Sequence, residues 1–395
     1  MNRFITTAAI LLAGLPAFLA TPAKAQQTLW DFGSMNSPEI NANGSVTFRF
    51  LAPWASEVKI TGDFLPAGQS EAQMLQDAGG VWYFTSEPLE SELYTYRILL
   101  DDVPVRDVQS TYTQRDVSSI MNYFIIPGDR GNLYSIKDVP HGNISRNWYS
   151  SSVLKQQRRV TIYTPPGYEK SDKRYPVLYL LHGMGGDEEA WLCTGRAAQI
   201  LDNMIATHRC PPMIVVMPNG NTRHKSAPGE SDEGYWQPYM TGSFDTSFEA
   251  HFKDVVNYVD RSYRTISKAS GRAVAGLSMG GWHSWQIGLN YPWLFNYVGL
   301  FSAAVDAYDK SDPATRMFPS IYEGTDEKID ELFEDKAKHL YIAIGRDDFL
   351  YDDNKALREQ LDAKGYSYRY FETDGGHVWR NWRKYLEDYL TTIFK

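Results

Sequence analysis

The sequence predicts two folded units, an all-β sandwich followed by a larger, mostly parallel and doubly wound α/β sheet. Residues 27–126 alternate apolar and polar side chains in short runs, which is the pattern of strands with one buried face. From residue 139 onward, apolar runs of strand length are separated by amphipathic stretches of helix length, which is typical of buried parallel strands covered by helices. The 395 residues are also enough for roughly two to three domains.

The extreme N-terminus carries the signature of an export signal. Arg3 gives a short positive start, an apolar run follows over residues 4–19, and Ala23-Lys24-Ala25 supplies a small-x-small cleavage site. An uncleaved membrane anchor is the alternative, but the run is shorter than the ~20 apolar residues that a membrane span needs. We therefore expect residues 1–25 to be a signal peptide, and the mature protein to be exported to the periplasm or the cell exterior with no membrane association after cleavage.

The first folded unit, residues 27–126, reads as a series of short strands. The clearest are 46–50, 58–60, 82–85 and 94–98. In the first of these, Val46, Phe48 and Phe50 share one face and polar residues occupy the other. About seven such strands in roughly 100 residues, without helix-period segments, predict a small immunoglobulin-like β-sandwich.

A linker is predicted at residues 127–138, because Pro127 to Asn132 is rich in turn-forming residues. The second unit, residues 139–395, then alternates strands with helices. Its predicted strands are 159–164, 177–181, 213–217, 273–277, 298–301, 340–344 and 368–372. Its predicted helices include 245–263, 279–290, 353–364 and 381–393.

Composition narrows the range of partners. The net charge of −9 and the isoelectric point near 5.4 remove the attraction to phosphate that nucleic-acid binding and acidic membranes require. Aromatic residues make up 14% of the chain, which suits either packing in a β-rich core or stacking platforms for sugars and aryl groups. The cysteines, Cys193 and Cys210, flank a predicted helix too long for easy bridging, so we expect two buried thiols.

A nucleophile motif lies at Gly276-Leu277-Ser278-Met279-Gly280, which fits G-x-S-x-G. It follows a predicted strand and opens a predicted helix, and this is the context of a nucleophile elbow. A glycine-rich turn without chemistry is the alternative interpretation of the five residues. The residues that follow in the chain favour catalysis by Ser278.

A base and an acid are found in the order that a serine hydrolase of this architecture needs. His377 lies in a loop after the last predicted strand, and Asp347-Asp348 follows the strand before it. We therefore predict His377 as general base and one of the two aspartates as its orienting acid. The residues themselves leave the choice between the aspartates open.

An oxyanion requires two backbone N–H donors. The residue after the nucleophile, Met279, is expected to supply one. The glycine-rich turn His182-Gly183-Met184-Gly185-Gly186 follows a core strand, and we expect the N–H of Met184 to supply the other. His182 is interpreted as a residue that shapes this turn.

These motifs resemble a known family. The segments 175–183, 276–281 and 375–379, with Thr164-Pro165-Pro166-Gly167-Tyr168 and Met217-Pro218-Asn219-Gly220, are similar to the esterase D-like α/β-hydrolases, which include feruloyl and acetyl xylan esterases of carbohydrate esterase family one. The resemblance covers about residues 139–395. It implies an α/β-hydrolase fold, a serine esterase activity, and an acid at the last position of a Gly-x-x-Asp turn, which selects Asp348.

The first unit resembles the glycogen-binding-type sandwich, like the isoamylase N-terminal domain, on the basis of Ala52-Pro53, Gly62-Asp63-Phe64, Gly80-Val81-Trp82 and Tyr94 to Arg97. Family members bind glycan there or use the module for packing. We expect Trp82 and Tyr96 in the core. Trp54 follows a proline in a loop and is the better exposed candidate.

Substrate contacts are predicted from aromatic residues near the catalytic loops. These are Trp191, Trp236, Trp282 and Trp379. The polar and aromatic insertion 221–246 has the composition of a lid or substrate wall. Ordinary packing is the alternative for each tryptophan, and His283 is expected to be a helix-face residue.

The sequence thus predicts a secreted serine esterase that removes feruloyl or acetyl groups from plant cell-wall polysaccharide such as arabinoxylan, with a polysaccharide or aryl ester as its partner. A siderophore esterase for catecholate trilactones is an alternative, although Arg223, His224 and Lys225 offer only a modest cationic cluster for so anionic a substrate. Acyl transfer to a sugar and glycan binding without catalysis are further alternatives. No metal or cofactor is expected, because the eight histidines are dispersed; the oligomeric state is left open.

Overall fold

The computed structural model describes residues 35–230, 247–306, 316–335 and 338–395. It contains a β-sandwich followed by an α/β unit built on one large sheet. The predicted signal peptide at residues 1–25 lies outside the described residues.

Ten strands form the sandwich over residues 35–126. They are β1 (Glu39–Ile40), β2 (Val46–Leu51), β3 (Val58–Gly62), β4 (Ala72–Gln73), β5 (Leu75–Gln76), β6 (Val81–Thr85), β7 (Leu93–Leu100), β8 (Val103–Val105), β9 (Thr113–Asp116) and β10 (Ser119–Ile125). One sheet has the order β1-β2-β6-β5 and the other β4-β3-β7-β10-β9, with β8 paired to β7. The prediction of about seven strands was too low because three of the ten are only two residues long and leave no alternation to detect.

The alternation seen in the sequence is the burial pattern of the strands. In β2, Val46, Phe48 and Phe50 are buried between the two sheets, whereas Thr47 and Arg49 face outward and are partly exposed. Trp82 and Tyr96 are buried and Trp54 is exposed, as predicted.

The segment predicted as a linker, 127–138, is not a free connection. It contains the short helix α1 (Asp129–Tyr134), and Leu133 and Tyr134 are buried in the core of the α/β unit. The side-chain amide of Asn203 donates to the carbonyls of Leu133 and Ser135 at 2.8 and 2.9 Å. The segment therefore makes a fixed contact between the two units, which its turn-forming composition did not indicate.

Eight strands form the central sheet of the second unit. They are β11 (Asn143–Ser151), β12 (Gln156–Thr164), β13 (Val177–Leu181), β14 (Ile214–Pro218), β15 (Arg272–Leu277), β16 (Tyr297–Phe301), β17 (His339–Gly345) and β18 (Arg369–Thr373). Their order is β11-β12-β14-β13-β15-β16-β17-β18. β12 pairs antiparallel with both β11 and β14, and the six strands from β14 to β18 across the sheet are parallel. The sequence prediction missed β11, an edge strand with polar and exposed residues, and placed the other seven to within a few residues.

Helices cover both faces of this sheet. The described helices after α1 are α2 (Ala190–Cys193), α3 (Ala197–Ala206), α4 (Phe248–Ser262), α5 (Met279–Asn290), α6 (Pro319–Tyr322), α7 (Thr325–Glu334), α8 (Tyr351–Ala363) and α9 (Trp379–Leu390), with single 3-10 turns at Tyr168–Lys170 and Ala269–Gly271. In β13, Val177, Tyr179 and Leu181 join the core on the side of α4 and α5, while Leu178 and Leu180 join the core on the side of α3 and α9. A strand buried on both faces reads as a continuous apolar run, which is why the sequence reveals it.

The two cysteines match the sequence prediction in part. Cys193 and Cys210 are both free, and Cys210 is buried while Cys193 is partly exposed. Among the described residues, no helix is long and apolar enough to cross a membrane.

A buried ion pair joins the sandwich to the last helix. The Arg383 guanidinium in α9 contacts the Glu92 carboxylate at 3.1 Å, and both side chains are almost wholly buried. Arg383 also donates to the carbonyls of Thr194 and Leu93. The arginine therefore bonds to groups of both units at once.

Glu92→Ala should destabilise the whole protein, because it leaves the Arg383 charge buried without its carboxylate. We expect the free energy of unfolding to fall by about 3 kcal/mol or more, measured by chemical denaturation with fluorescence. Glu90→Ala, at a neighbouring exposed side chain, is the matched control and should change it by less than about 0.5 kcal/mol. Equal stability of the two variants would show that the pair does not couple the units.

Candidate active site

The chain makes a strained turn at Ser278. Strand β15 ends at Leu277 and helix α5 begins at Met279, and Ser278 between them has φ 55° and ψ −117°. A serine in this region costs on the order of 1–3 kcal/mol and persists only where its surroundings hold it. The Ser278 N–H donates to the Phe301 carbonyl at 2.9 Å, and its carbonyl accepts from the Ala304 N–H at 3.2 Å. These bonds to the neighbouring strand and its following loop hold the turn.

Two glycines make the turn possible by allowing close backbone approach. A Cβ on Gly276 would lie 2.5 Å from the backbone of Gly280, and a Cβ on Gly280 would lie 2.5 Å from the carbonyl oxygens of Leu181 and His182. Because backbone atoms cannot move aside cheaply, these positions exclude every other residue. The G-x-S-x-G pattern is therefore required by packing at this point.

The structure brings His377 and Asp348 together. The His377 Nδ1 lies 3.0 Å from both carboxylate oxygens of Asp348. Since an ionised carboxylate only accepts, Nδ1 is the donor in this contact, and in the neutral form of the ring Nε2 is the nitrogen that can accept a proton. Asp348 is buried, and it also accepts from the Leu350 N–H at 3.0 Å.

The neighbouring carboxylate has a different role. Asp347 is exposed and accepts from the Gly375 N–H at 3.1 Å, so it braces the loop that leads to His377 without touching the imidazole. Within the described residues, the Ser278 hydroxyl makes no hydrogen bond with His377. Catalytic hydrogen bonds are often open before substrate binds.

The environment keeps the acid ionised. Burial alone would raise the pKa of Asp348, but hydrogen bonds from His377, the Leu350 N–H and Ser302, together with the His377 charge, lower this pKa below its usual value. Asp348 is therefore ionised at neutral pH, and it can stabilise a positive imidazolium.

Two backbone N–H groups flank the serine. The Met279 N–H lies in the first turn of α5, where no preceding helical carbonyl is available to it. The Met184 N–H lies in the turn after β13 and donates to no other group of the described residues. That turn is close to the nucleophile, because a Cβ on Gly183 would lie 3.3 Å from the Ser278 Cβ.

His182 shapes this turn, as the sequence suggested. Its Nδ1 lies 2.8 Å from the Gly183 carbonyl, and its Nε2 accepts from the Gly220 N–H at 2.8 Å. Burial lowers the pKa of His182 to about 4, so the ring is neutral and links the turn to the loop after β14.

The same turn leads into three acidic residues that the sequence analysis did not single out. Each is nearly buried and is paired with an arginine, in the pairs Asp187–Arg115, Glu188–Arg159 and Glu189–Arg146. Arg115 belongs to β9 of the sandwich. Nothing in a single sequence indicates these pairs, because their members lie about 30 to 70 residues apart.

The predicted tryptophan contacts have different outcomes. Trp191 as a substrate contact was wrong: it is 1% exposed, and its Nε1 donates to the Leu181 carbonyl at 2.9 Å, so it is a core residue beneath the site. Trp282 is partly exposed and stacks on Tyr322 with ring centroids 6.2 Å apart. Trp379 is partly exposed and donates to Asp116. Trp236 lies outside the described residues.

The insertion 221–246 is described only up to residue 230, and that part is mainly buried. The buried Arg158 guanidinium donates to four carbonyls of residues 219–224 and fixes this loop. His224 is buried, which reduces the cationic cluster that the siderophore alternative would use.

Several exposed side chains close to the catalytic groups are apolar. The Phe349 ring is 75% exposed and lies 4.6 Å from the His377 ring, centroid to centroid. Met184, Val378 and Val117 are also exposed. Three belong to the loops carrying the oxyanion donor, the acid and the base, and Val117 comes from the sandwich.

Among the described residues, one cavity lies beside the helix that follows the nucleophile, and another includes the base in its lining. One, of about 670 Å³, is lined by Trp282, Tyr322 and Val305 beside the first turns of α5. The other, of about 750 Å³, lies between the two units and is lined by His377 and Trp379 on one side and by Gln114 and Asp116 on the other. Both volumes are in the range of small-molecule sites.

A second histidine–carboxylate pair lies behind the nucleophile. His283, on α5 as predicted, contacts the buried Glu249 at 2.6 Å through Nδ1, and the Tyr322 hydroxyl donates to the same carboxylate. Burial would raise the pKa of Glu249, but the His283 charge and hydrogen bonds lower it to about 2. This pair ties α5 to α4. In the described parts of the chain, no cluster of histidine, cysteine and acidic residues is placed to hold a metal ion.

Two protein-family models match the chain. The family described as "Putative esterase" matches residues 151–393, and "Carbohydrate-binding module 48 (Isoamylase N-terminal domain)" matches residues 31–112. Among curated proteins, an endo-1,4-β-xylanase/feruloyl esterase of Xylanibacter ruminicola is 28% identical over 366 residues, 91% of this chain and 46% of that protein. The chain thus spans about half of that relative. An acetyl esterase of Caldicellulosiruptor saccharolyticus is 26% identical over 61% of this chain and 93% of that protein.

Solved structures show the same fold. A ferulic acid esterase aligns with a TM-score of 0.52 and 28% identity, covering 64% of this chain and 100% of that one. The enterobactin esterase from Shigella flexneri aligns over 88% of this chain and 92% of that one, with a TM-score of 0.59 and 17% identity. The latter alignment extends over the sandwich as well as the α/β unit.

Asp348→Asn should lower kcat for a small aryl ester by about 10⁴-fold, because the amide cannot hold the imidazole in the required tautomer or stabilise its positive form. Asp347→Asn keeps the acceptor for the Gly375 N–H and is the matched control, with kcat expected within about 3-fold of wild type. The kinetics of purified variants measure both values. Similar losses in the two would contradict the assignment of Asp348.

Two buried neutral histidines should make stability depend on pH. Burial lowers the pKa of His182 and of His251 to about 4, whereas a histidine in the unfolded chain titrates near 6.5. Between those values the unfolded chain binds protons that the folded protein does not, so stability falls as pH drops from 6.5 to 4. Replacing one of them, in His182→Gln, should reduce the slope by up to about 1.4 kcal/mol per pH unit. Denaturation curves at pH 7, 6 and 5 measure it, and an unchanged slope would contradict the neutral state of His182.

Proposed function

The chain belongs to the esterase family whose model it matches over residues 151–393, a family of carboxylic ester hydrolases, and from that premise we propose that it is a serine esterase acting on acyl groups of plant cell-wall polysaccharide. The observation that carries the chemistry is the contact of His377 with the buried Asp348, at the same sheet edge as the strained Ser278. Ser278, Asp348 and His377 follow the carboxyl ends of the parallel strands β15, β17 and β18, which lie at one edge of the sheet.

The reaction proceeds through an acyl-enzyme. Ser278 attacks the ester carbonyl while His377 Nε2 takes the hydroxyl proton, and the resulting imidazolium is stabilised by Asp348. His377 then gives the proton to the departing sugar oxygen. In the second half, His377 removes a proton from water, the water attacks the acyl carbon, and Ser278 is released with its proton restored.

The negative charge of each tetrahedral intermediate is placed between the N–H groups of Met184 and Met279. One such donor is worth roughly 3 kcal/mol of transition-state stabilisation in serine hydrolases. The N-terminal end of α5 adds its dipole to the same position. Together these groups stabilise charge that appears only during the reaction.

The surface around these groups suits an aromatic acyl group. Phe349, Met184 and Val378 are exposed apolar side chains on the three catalytic loops, and apolar exposure of this kind usually marks a binding site. An acetyl group would cover little of it, whereas a feruloyl ring would contact it broadly. The name of the Xylanibacter ruminicola relative, which pairs xylanase with feruloyl esterase, supports the same substrate class.

The sugar portion of the substrate has a cavity of its own. The cavity between the units is lined by polar side chains, among them Gln114 and Asp116, and by the indole of Trp379. Hydroxyl groups and the flat face of a pyranose are the partners that such a surface binds. Trp282, beside the other cavity, and Trp236 are kept as proposed substrate contacts.

We propose export on sequence alone, because residues 1–25 have the three regions of a signal peptide. A polymeric plant-wall substrate is found outside the cell, so export and substrate agree. The siderophore alternative is weaker, because Arg115, Arg146 and Arg159 beside the oxyanion turn are each already paired with a carboxylate.

The deciding experiment measures ferulate release from feruloylated arabinoxylan and acetate release from acetylated xylan in parallel, with Ser278→Ala as the catalytic control. We expect ferulate release to be the faster reaction, and to fall by at least about 10³-fold in the variant. Chromatography of the released acids measures both.

If only acetate is released, and Ser278→Ala abolishes that release, the mechanism stands and the substrate is an acetyl ester rather than an aryl ester. If wild type and Ser278→Ala are equally inert on both polymers, the plant-wall assignment fails. A ferric catecholate trilactone is then the next substrate to assay, followed by a glycan-binding assay on the folded protein.

A further inference from the structure

A hairpin of the sandwich, formed by β9 (Thr113–Asp116) and β10 (Ser119–Ile125), contacts two loops of the active site. We propose that this hairpin is a positioning element of the esterase site: Arg115 fixes the turn that carries the oxyanion N–H, and Asp116 fixes the loop that carries the base. The proposal rests on the proposed esterase function. It deepens that function, because catalysis then requires residues of both units.

The first contact is a two-point ion pair to the oxyanion turn. The Arg115 guanidinium donates to one carboxylate oxygen of Asp187 at 2.9 Å and lies 2.8 Å from the other. Asp187 is almost fully buried and also accepts from the Glu189 N–H at 3.0 Å. Asp187 comes three residues after Met184, so a guanidinium from the sandwich holds the end of the turn that presents the Met184 N–H.

The second contact is a packing contact at the same turn. Val117, at the tip of the hairpin with φ 54°, lies directly against Gly185. A Cβ on Gly185 would be 2.9 Å from a methyl carbon of Val117. A side chain at position 185 would collide with Val117. The glycine of the oxyanion turn therefore allows the valine at the hairpin tip to pack directly against that turn.

The third contact reaches the loop of the base. The Trp379 indole N–H donates to Asp116 at 3.1 Å. The Trp379 ring packs edge-on against Trp382 at 5.2 Å between centroids, and Trp382 packs edge-on against the His377 imidazole at 4.9 Å. Asp116 therefore orients Trp379, and through the packed rings of Trp379 and Trp382 it acts on the position of the His377 imidazole.

The hairpin also lies beyond the part of the sandwich shared with carbohydrate-binding modules. The module match ends at residue 112, and the hairpin begins at Thr113. The segment that resembles a glycan-binding module and the segment that contacts the catalytic loops are thus different parts of the first unit. A small ester distinguishes their roles, because it has no sugar for a glycan-binding surface to hold.

The test uses p-nitrophenyl acetate and the full-length protein with Arg115→Met, the double variant Arg115→Met/Asp187→Asn, and Asp116→Ala. The double variant removes the stranded Asp187 charge, so it should fold even if the single variant does not. We expect kcat to fall about 10- to 100-fold, the effect of misplacing catalytic groups by about 1 Å, while KM changes by less than about 3-fold.

One matched control and one conservative variant accompany these variants. Arg106→Met removes an exposed arginine of the same unit that makes no hydrogen bond or ion pair with the described catalytic loops, and it should retain kcat within about 3-fold of wild type. Asp116→Asn keeps an acceptor for the Trp379 N–H, so it should recover most of the kcat that Asp116→Ala loses. Thermal unfolding of each variant establishes the folded fraction to which kcat is normalised.

Unchanged kcat in the folded double variant, with higher KM only on arabinoxylan, would overturn the proposal and make the sandwich a glycan-binding part alone. Loss of activity that merely follows the folded fraction would also overturn it. Loss in Asp116→Asn equal to that in Asp116→Ala would contradict the role given to the Trp379 bond.

The proposed function can fail separately. If the wild-type protein does not hydrolyse the small ester, or hydrolyses it no faster than Ser278→Ala, the esterase assignment fails. Hydrogen exchange then tests whether Arg115 holds the turn. If the amides of residues 182–189 exchange faster in Arg115→Met than in Arg106→Met, the result would support the proposal that Arg115 holds the oxyanion turn. Equal exchange in the two variants would overturn it.

Discussion

The strained backbone at Ser278 is the constraint on which the rest of the structure depends. A left-handed serine is held only because Gly276 and Gly280 let helix α5 approach the end of β13 at backbone contact distance. That approach places the Met279 N–H and the turn after β13 on two sides of the same hydroxyl. The strain, on the order of 1–3 kcal/mol, is thus offset by the packing of α5 against the parallel sheet, and the nucleophile lies at this close contact.

The glycine-rich turn after β13 depends on contacts with other segments to keep its conformation. The turn at Gly183 to Gly186 has few side chains that could hold it, and its support comes from His182 toward the loop after β14 and from Arg115 toward the sandwich. The Glu92–Arg383 pair and helix α1 join the same two units elsewhere. The sandwich is therefore bound to the esterase unit by buried charge and by backbone, which is unlike a module on a flexible linker.

Much of this arrangement follows from local sequence pattern, and the rest depends on contacts between distant segments. Strand β13 and helix α5 are visible because continuous apolar runs and G-x-S-x-G have few structural solutions. The choice of Asp348 over Asp347 needed a family resemblance, since both follow the same strand. Trp191 was assigned wrongly because a tryptophan beneath a site and one within it look alike in sequence. Arg115 and Asp187 lie 72 residues apart, and no periodicity joins them.

The charges around the site also bear on which substrates it suits. The arginines that reach the acidic residues after the oxyanion turn are neutralised by Asp187, Glu188 and Glu189 in buried or partly buried pairs. These three pairs therefore contribute little net attraction for an anionic substrate. The charge that forms at the carbonyl oxygen is stabilised by the dipoles of two N–H groups and of helix α5, which act over a short range. Such a site gains most from a neutral ester whose acyl group covers apolar side chains such as Phe349, and whose only charge appears in the transition state.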